Sequence, residues 1–251
     1  KKIIDEEKSP AGPVIRFVNE VAKHFPDKII STLAYQFSRP APVLTKPLDN
    51  VQVMLCTIEL NRRKPIEEEI TSKSFLKDIT DWGKICKRIY LWDYTIDFAN
   101  SVSPFPNLHV LQPNIQFFNN NNVRAHFQQS NISTGQEFSE LKLYLISRLL
   151  WNPDANADEI TNEFLQGYYG KAKKWIKKYI EQLHEQAVKS NDGLDIYEHP
   201  TAHQKTFLSA DNIKDYNFYF DEAETSVKSD SAKLMHVKIT RLPLQYAIME
   251  I

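Results

Sequence analysis

The stretch RIYLWDYTIDF, residues 88–98, decides how this chain is read. Ile89, Tyr90, Leu91 and Trp92 are strand formers, preceded by Lys87 and Arg88. Such a run reads as a buried β-strand. It then meets a carboxylate, Asp93, set between the rings of Trp92 and Tyr94. A strand that ends on an acid flanked by aromatic rings poses the question of what that acid faces.

Working outward, helices and strands alternate. PVIRFVNEVAKHF (13–25) repeats apolar residues at helical spacing and is stopped by Pro26. KIISTLAYQF supplies a strand from Ile29 to about Gln36, and VQVMLCTIEL a second, ending near Glu59. Residues 73–87 read as a helix carrying Phe75, Leu76, Ile79, Trp82 and Ile85. NLHVLQPN reads as a short extended piece and IQFFNNNN as a helix that runs out in asparagines. VRAHFQQSN is a fourth strand, and 136–150 a strong amphipathic helix. Alternation of this kind predicts an α/β fold with a parallel sheet. A closed (β/α)8 barrel needs eight strands and about 250 residues. Four strands in 1–150 therefore predict the C-terminal half of a TIM-type barrel, with a small open sheet as the alternative.

Residues 151–251 read as an all-helical extension packed on that half. Helices are expected over DANADEITNEFLQGYYG, KAKKWIKKYIEQLHEQAV, 211–228 and 231–250, with Pro243 kinking or ending the last and a polar loop over 190–206. The first dozen residues read as a charged lead-in. Both ends look cut, so further domains of the same polypeptide are expected upstream.

Composition narrows the function classes. A net charge of −1 supplies no global field to attract nucleic acid or an anionic membrane, so partners must be argued from a local site. No apolar run approaches the roughly 20 residues that span a bilayer. Two cysteines, Cys56 and Cys86, make neither a disulfide framework nor a zinc knuckle, and no phosphate-cradling glycine motif occurs. His199 and His203 stand at H-x3-H spacing, but Pro200 opposes a helix there and zinc is not expected.

Each strand ends on polar groups: Tyr35 and Gln36, then Glu59, then Trp92, Asp93 and Tyr94, then Gln128, Gln129 and Asn131. In a parallel barrel these ends open on one face, where active sites lie. Carboxylates interleaved with aromatic rings suit a sugar, whose C–H face stacks on a ring while acids and amides hold its hydroxyls. Cleaving a glycosidic bond takes two carboxylates. Asp93 and Glu59 are the candidate catalytic pair. Tyr35, Gln36, Trp92, Tyr94, Gln128, Asn131 and Glu137 are candidate substrate contacts. The plainer alternatives are a surface turn for Glu59, paired with Arg62 or Arg63, and a helix-start preference for Glu137. Asp97 reads as an ordinary loop residue, and the lysines at 171, 173, 174, 177 and 178 as a solvated helix face.

The stretches SPAGPVIRFVNEVA, STLAYQ, CTIE, IYLWDYTIDF, FPNLHVLQPNIQFF, EFSELKLYLISRLLWNPDAN, FLQGYYG and RLPLQY resemble a bacterial family of unknown function. The resemblance covers nearly all of 9–247. It implies a glycosidase-like TIM barrel following an α-glucuronidase-type N-terminal domain in secreted glycan-degrading proteins, hence a periplasmic or extracellular location. Related barrels carry an essential acid after the fourth strand, which would lie upstream of Lys1. Gln128 departs from the pattern, because a glutamate is expected there. The resulting expectation is a glycoside hydrolase-like domain acting on a polysaccharide or glycoconjugate without a cofactor. The alternatives are a non-catalytic carbohydrate-binding protein on the same barrel, favoured by Gln128, and an interaction scaffold whose working part is the helical tail.

Overall fold

Period-two burial builds the sheet. Along Val51–Cys56, Val53 and Leu55 are sealed while Gln52 and Met54 are half-buried; along Ile89–Tyr94, Ile89 and Leu91 are sealed while Tyr90 and Trp92 are not. The computed structural model describes residues 1–130, 135–190 and 192–251. It has an α/β fold. The helices of the first part are α1 (Lys2–Glu7), α2 (Ala11–Lys23), α3 (Lys73–Ile85) and α4 (Leu108–Asn120). Its strands are β1 (Ile30–Ala34), β2 (Val51–Cys56), β3 (Ile89–Tyr94) and β4 (Val123–Gln129). The four strands pair in parallel in the order β1-β2-β3-β4.

The chain forms two compact units. The first comprises Lys1–Leu60, Ile66–Tyr94 and Asn114–Gln129, and holds the sheet. One sheet face, with Ala34, Val53, Leu55, Ile89, Leu91 and Val123, forms a single core with Ile15 of α2, with Phe75, Ile79 and Trp82 of α3, and with Phe117 and Phe118 of α4. Burial of each such side chain contributes about 1.5–3 kcal/mol. Trp82 satisfies its indole by donating to the Arg39 carbonyl at 2.7 Å. The opposite face runs in two register rows. Leu33, Met54, Tyr90 and Ala125 form one, and Cys56, Trp92 and Phe127 the other. Of these, Leu33 is 46% and Phe127 41% exposed.

Register slips by one residue at the start of β4: Ile89 pairs with Val123, but Tyr90 pairs with Ala125. Arg124 is the extra residue of a bulge. Beyond it His126 shares a face with Leu91, and Phe127 with Trp92.

The second unit comprises Asn61–Pro65, Thr95–Pro113 and Ser130–Ile251. Its helices include α5 (Ser139–Trp151), α6 (Ala157–Tyr169), α7 (Lys173–Lys189), α8 (Ala210–Ser226) and α9 (Ser231–Glu250). Leu149, Leu165, Leu183, Tyr216, Phe220 and Leu244 are sealed, and the Tyr179 ring lies 5.1 Å from Tyr216 and 4.8 Å from Phe220. Side-chain caps start α6, α8 and α9: Asn156, Ser209 and Asp230 each accept from backbone N–H groups one turn ahead.

Four expectations are corrected. The lead-in is helical over Lys2–Glu7, and its last residue is buried. The predicted extended piece at 107–114 is the start of α4, which carries Pro113 inside it; His184 caps the entry by accepting from Leu108 N at 3.0 Å. Pro243, expected to kink or end α9, likewise stays inside that helix and does not end it. The loop over 190–206 is not simply polar, because Leu194 and Ile196 are buried and their carbonyls accept from the N–H groups of Arg62 and Phe98 at 2.8 and 2.7 Å.

Candidate functional site

Asp93 is the penultimate residue of β3. Its Oδ1 accepts from the Thr57 hydroxyl at 2.5 Å and from Tyr94 N at 2.9 Å. Thr57 is sealed, and its N–H donates to the Trp92 carbonyl at 3.1 Å, which carries the β2–β3 pairing past the end of β2. The Thr57 hydroxyl and the Tyr94 N–H both donate to Asp93, an arrangement suited to a carboxylate that steadies positive charge. Gln128 lies opposite Asp93 in register, and its amide nitrogen is 3.4 Å from His126 Nδ1. Burial lowers the His126 pKa, favouring the neutral imidazole, and the Asp93 carboxylate opposes that shift.

Glu59 lies within the tight turn closed by Leu60 N donating to the Thr57 carbonyl at 3.0 Å. Its side chain is 43% exposed and is ion-paired with Arg39. Arg39 is held from three sides. Its Nε donates to Asp78 Oδ2 at 2.7 Å, its other terminal nitrogen to Ser74 Oγ at 2.9 Å, and its guanidinium lies 5.7 Å from the Phe75 ring centre. The partner of Glu59 is thus Arg39 and not a neighbour in ELNRRKP; Arg63 instead donates to the carbonyls of Ser190 and Asp192 at 2.6 and 3.2 Å.

Trp92 and Tyr94 stack at 5.8 Å with a 17° interplanar angle, on the side of the strand away from Asp93. Phe127 joins them, 5.3 Å from Trp92, and the Trp92 indole donates to Gln129 Oε1 at 2.5 Å. At the end of β1, Tyr35 is half-buried, and Gln36 is exposed in a left-handed conformation at φ 46°. A non-glycine residue held there stores about 1–3 kcal/mol of strain, and such strain clusters at working sites.

The first unit therefore places Asp93 and Gln128 in register at neighbouring strand ends, with Trp92 and Tyr94 on the other side of β3 and Glu59 two residues from the threonine that binds Asp93. Glu137 belongs to the second unit and is buried there, paired with Lys142 at 2.9 Å. Asn131 lies outside the described residues. Sequence reading missed Arg39, Thr57, His126 and Phe127. The signal for Phe127 was present, since FQQ repeats the aromatic-then-polar strand end of WDY. The signal for Arg39 was not, because nothing in SRPAP shows that the loop folds back over α3.

Cys56 and Cys86 are both free and buried. Burial, with the Glu59 carboxylate adding to it, pushes the Cys56 thiol up to about 12, and burial also raises Cys86. Neither supplies a thiolate nucleophile at neutral pH. Among the described residues no cluster of three or more His, Cys, Asp or Glu side chains is arranged to hold a metal, and no helix is long and apolar enough to cross a membrane.

Residues 1–181 match the model of the family described as "Domain of unknown function (DUF4838)", and the chain belongs to that family. No curated protein and no solved structure matches the chain.

Proposed function

We propose that this domain is the C-terminal half of a TIM-type barrel in a secreted, bacterial glycoside hydrolase-like protein, acting on a polysaccharide or glycoconjugate. Three observations support the barrel half. The strands run in consecutive order, α2, α3 and α4 pack on one sheet face, and the opposite face carries partly exposed Leu33, Trp92 and Phe127. A parallel sheet is ordinarily covered on both faces, and barrel closure covers the inner one with side chains of the remaining strands. Those strands, and an acid after the fourth, would come from upstream domains of the same polypeptide.

The observation that carries the function is Asp93. It is a carboxylate at the C-terminal end of a parallel strand, fixed by Thr57 and flanked in sequence by two aromatic residues whose rings stack on the other side of the strand. In this reading Asp93 takes the proton-accepting or charge-stabilising role. Glu59, steered by Arg39, orients substrate or water. Trp92 and Phe127, backed by the buried Tyr94, form the stacking face across the strand from Asp93, and Tyr35, Gln36 and Gln128 contact hydroxyls. The chemistry is proton transfer and calls for no cofactor.

A second reading, a non-catalytic carbohydrate-binding barrel, is favoured by Gln128, an amide placed opposite Asp93 where the family resemblance leads one to expect a second acid. Assay of the full-length protein on aryl glycosides and oligosaccharides separates the two. Turnover that falls by about 10²–10⁴ in Asp93→Asn supports the enzyme. Sugar affinity without turnover supports the binder. Neither activity nor affinity rejects both and leaves the scaffold.

A further inference from the structure

We propose that the groove between α6 and α7 is a docking site for an acidic polysaccharide strand, one bearing carboxylate or sulfate groups. The groove, 540 Å³ in volume, is lined by Lys171, Lys173, Lys174 and Lys177 together with Asn162, Gln166 and Gly170. Among the described residues no carboxylate lines it.

The lysines here are treated unlike lysines elsewhere in the chain. Lys77 and Lys84 share Asp81, Lys189 pairs with Glu185, and Lys233 with Asp230. Within 171–178 only Lys177 has an acid nearby, Glu181 at 3.8 Å; Lys171, Lys173, Lys174 and Lys178 have no ion-pair partner among the described residues. Their place along the helix is also unfavourable. Helices α6 and α8 put Asp158, Glu159 and Asp211 in their first turns, whereas α7 starts with Lys173 and Lys174. Cations at that end oppose the helix dipole. A bound polyanion offsets both that penalty and the mutual repulsion of the amines.

The ammonium groups are already positioned. Lys177 Nζ donates to Asn162 Oδ1 at 3.3 Å, and the Lys174 and Lys178 ammonium groups lie 4.5 and 4.9 Å from the Trp175 ring. Trp175 also meets Phe218 and Tyr219, at 5.8 and 6.4 Å, so its ring is occupied and offers little platform for stacking nucleobases. Asn162 and Gln166 add amides that bind hydroxyls. A concave, basic, amide-bearing groove fits an acidic glycan better than a nucleic acid, and it presents no apolar wedge to a bilayer. Assigning the anion to a saccharide rests on the proposed function. With a chain of net charge −1, attraction is local to this groove.

The test is calorimetric titration of the full-length protein with oligogalacturonate, a heparin-derived octasaccharide, a neutral dextran oligosaccharide, oligo-dT and phosphatidylglycerol vesicles. The expected result is binding of an acidic saccharide that weakens as salt rises. Substituting Lys173→Gln, Lys174→Gln and Lys177→Gln together should weaken it by at least about tenfold with an unchanged melting temperature, and arginine at the same three positions should retain it. The proposal is overturned if no acidic saccharide binds, if dextran binds equally well, if oligo-dT or vesicles bind more tightly, or if the glutamine variant binds like the wild type. Asp93→Asn should bind the acidic saccharide normally, and the glutamine variant should hydrolyse neutral aryl glycosides normally. Binding without turnover thus overturns only the catalytic reading, and turnover without binding only this one.

Discussion

Each unit of the molecule buries a carboxylate, and the two are driven in opposite directions. Glu7, in the sheet unit, is sealed; its Oε2 accepts from Leu44 N and Thr45 N at 3.0 Å each, and its Oε1 from Arg16 Nε at 2.8 Å and from the Thr45 hydroxyl. Burial alone would raise its pKa, but the Thr45 hydroxyl and N–H, Arg16 and the Leu44 N–H outweigh it and bring the value down to about 2. Asp97, in the helical unit, is 2% exposed and accepts from Ala99 N and Asn100 N at 2.9 and 3.0 Å. Burial raises it to about 6; those N–H groups and His199 oppose the shift, and the carboxylate of Asp195 adds to it. Equal removal from water therefore says little by itself. Four donors with a cation turn a buried acid into a clamp, whereas two donors beside another acid leave it under strain.

The largest expected effect is at Glu7. Glu7→Gln should lose about 2–4 kcal/mol of unfolding free energy in urea titrations, because it breaks a buried ion pair and strands donors from Arg16 and the 44–45 backbone. A loss under about 1 kcal/mol would erase the contrast. Gly12→Ala tests the same clamp without touching charge. A Cβ there would lie 2.3 and 2.4 Å from Glu7 Cγ and Cβ, so Glu7 must move, at about 2 kcal/mol.

The pH dependence has opposite signs at the two sites. For Glu7 the stabilisation is full above its ordinary value of 4.5 and is lost as pH falls toward 2. For Asp97 the native state holds its proton more tightly than the unfolded chain. That advantage is full below 3.8 and gone above about 6, so stability falls as pH rises through that window. Asp97→Asn should flatten this fall and add about 1–2 kcal/mol at pH 7, read from urea midpoints across pH. An Asp97→Asn variant that unfolds more easily at pH 7 would show that the charge is satisfied after all. The smallest effect is expected at Ser9, which is also sealed, donates to the Pro40 carbonyl at 2.5 Å and accepts from Ala11 N at 3.0 Å. Ser9→Ala should cost about 1 kcal/mol, the scale of a neutral hydrogen bond against which the charged clamp is measured.

Neither carboxylate was legible as buried. Glu7 stands in KKIIDEEK, a run whose charge reads as solvated, and apart from Arg16 the donors that enclose it, on Leu44 and Thr45, come 37 and 38 positions later along the chain. Asp97 reads as loop because the segment that covers it, around Ile196, is about a hundred residues away. The strands were legible because Val53, Leu55, Ile89 and Leu91 alternate with half-buried neighbours, a local signal. The strand-end chemistry was legible in part. Asp93 and its aromatic neighbours are contiguous, but Arg39, which steers Glu59, arrives through a loop whose path no local pattern dictates. Helix α4 was hidden by Pro113, since the rule that proline ends helices yields where packing holds both flanks.

The bulge at Arg124 works as a half-period phase shifter. Everything after it in FQQ is presented on the side opposite to that implied by counting from Val123. A relative that lacks the extra residue, though identical elsewhere, would keep its phenylalanine in register with Trp92 and its first glutamine with Asp93. Aligning relatives without a gap across 123–129 would therefore equate side chains that never occupy the same space, and length here matters more than residue identity.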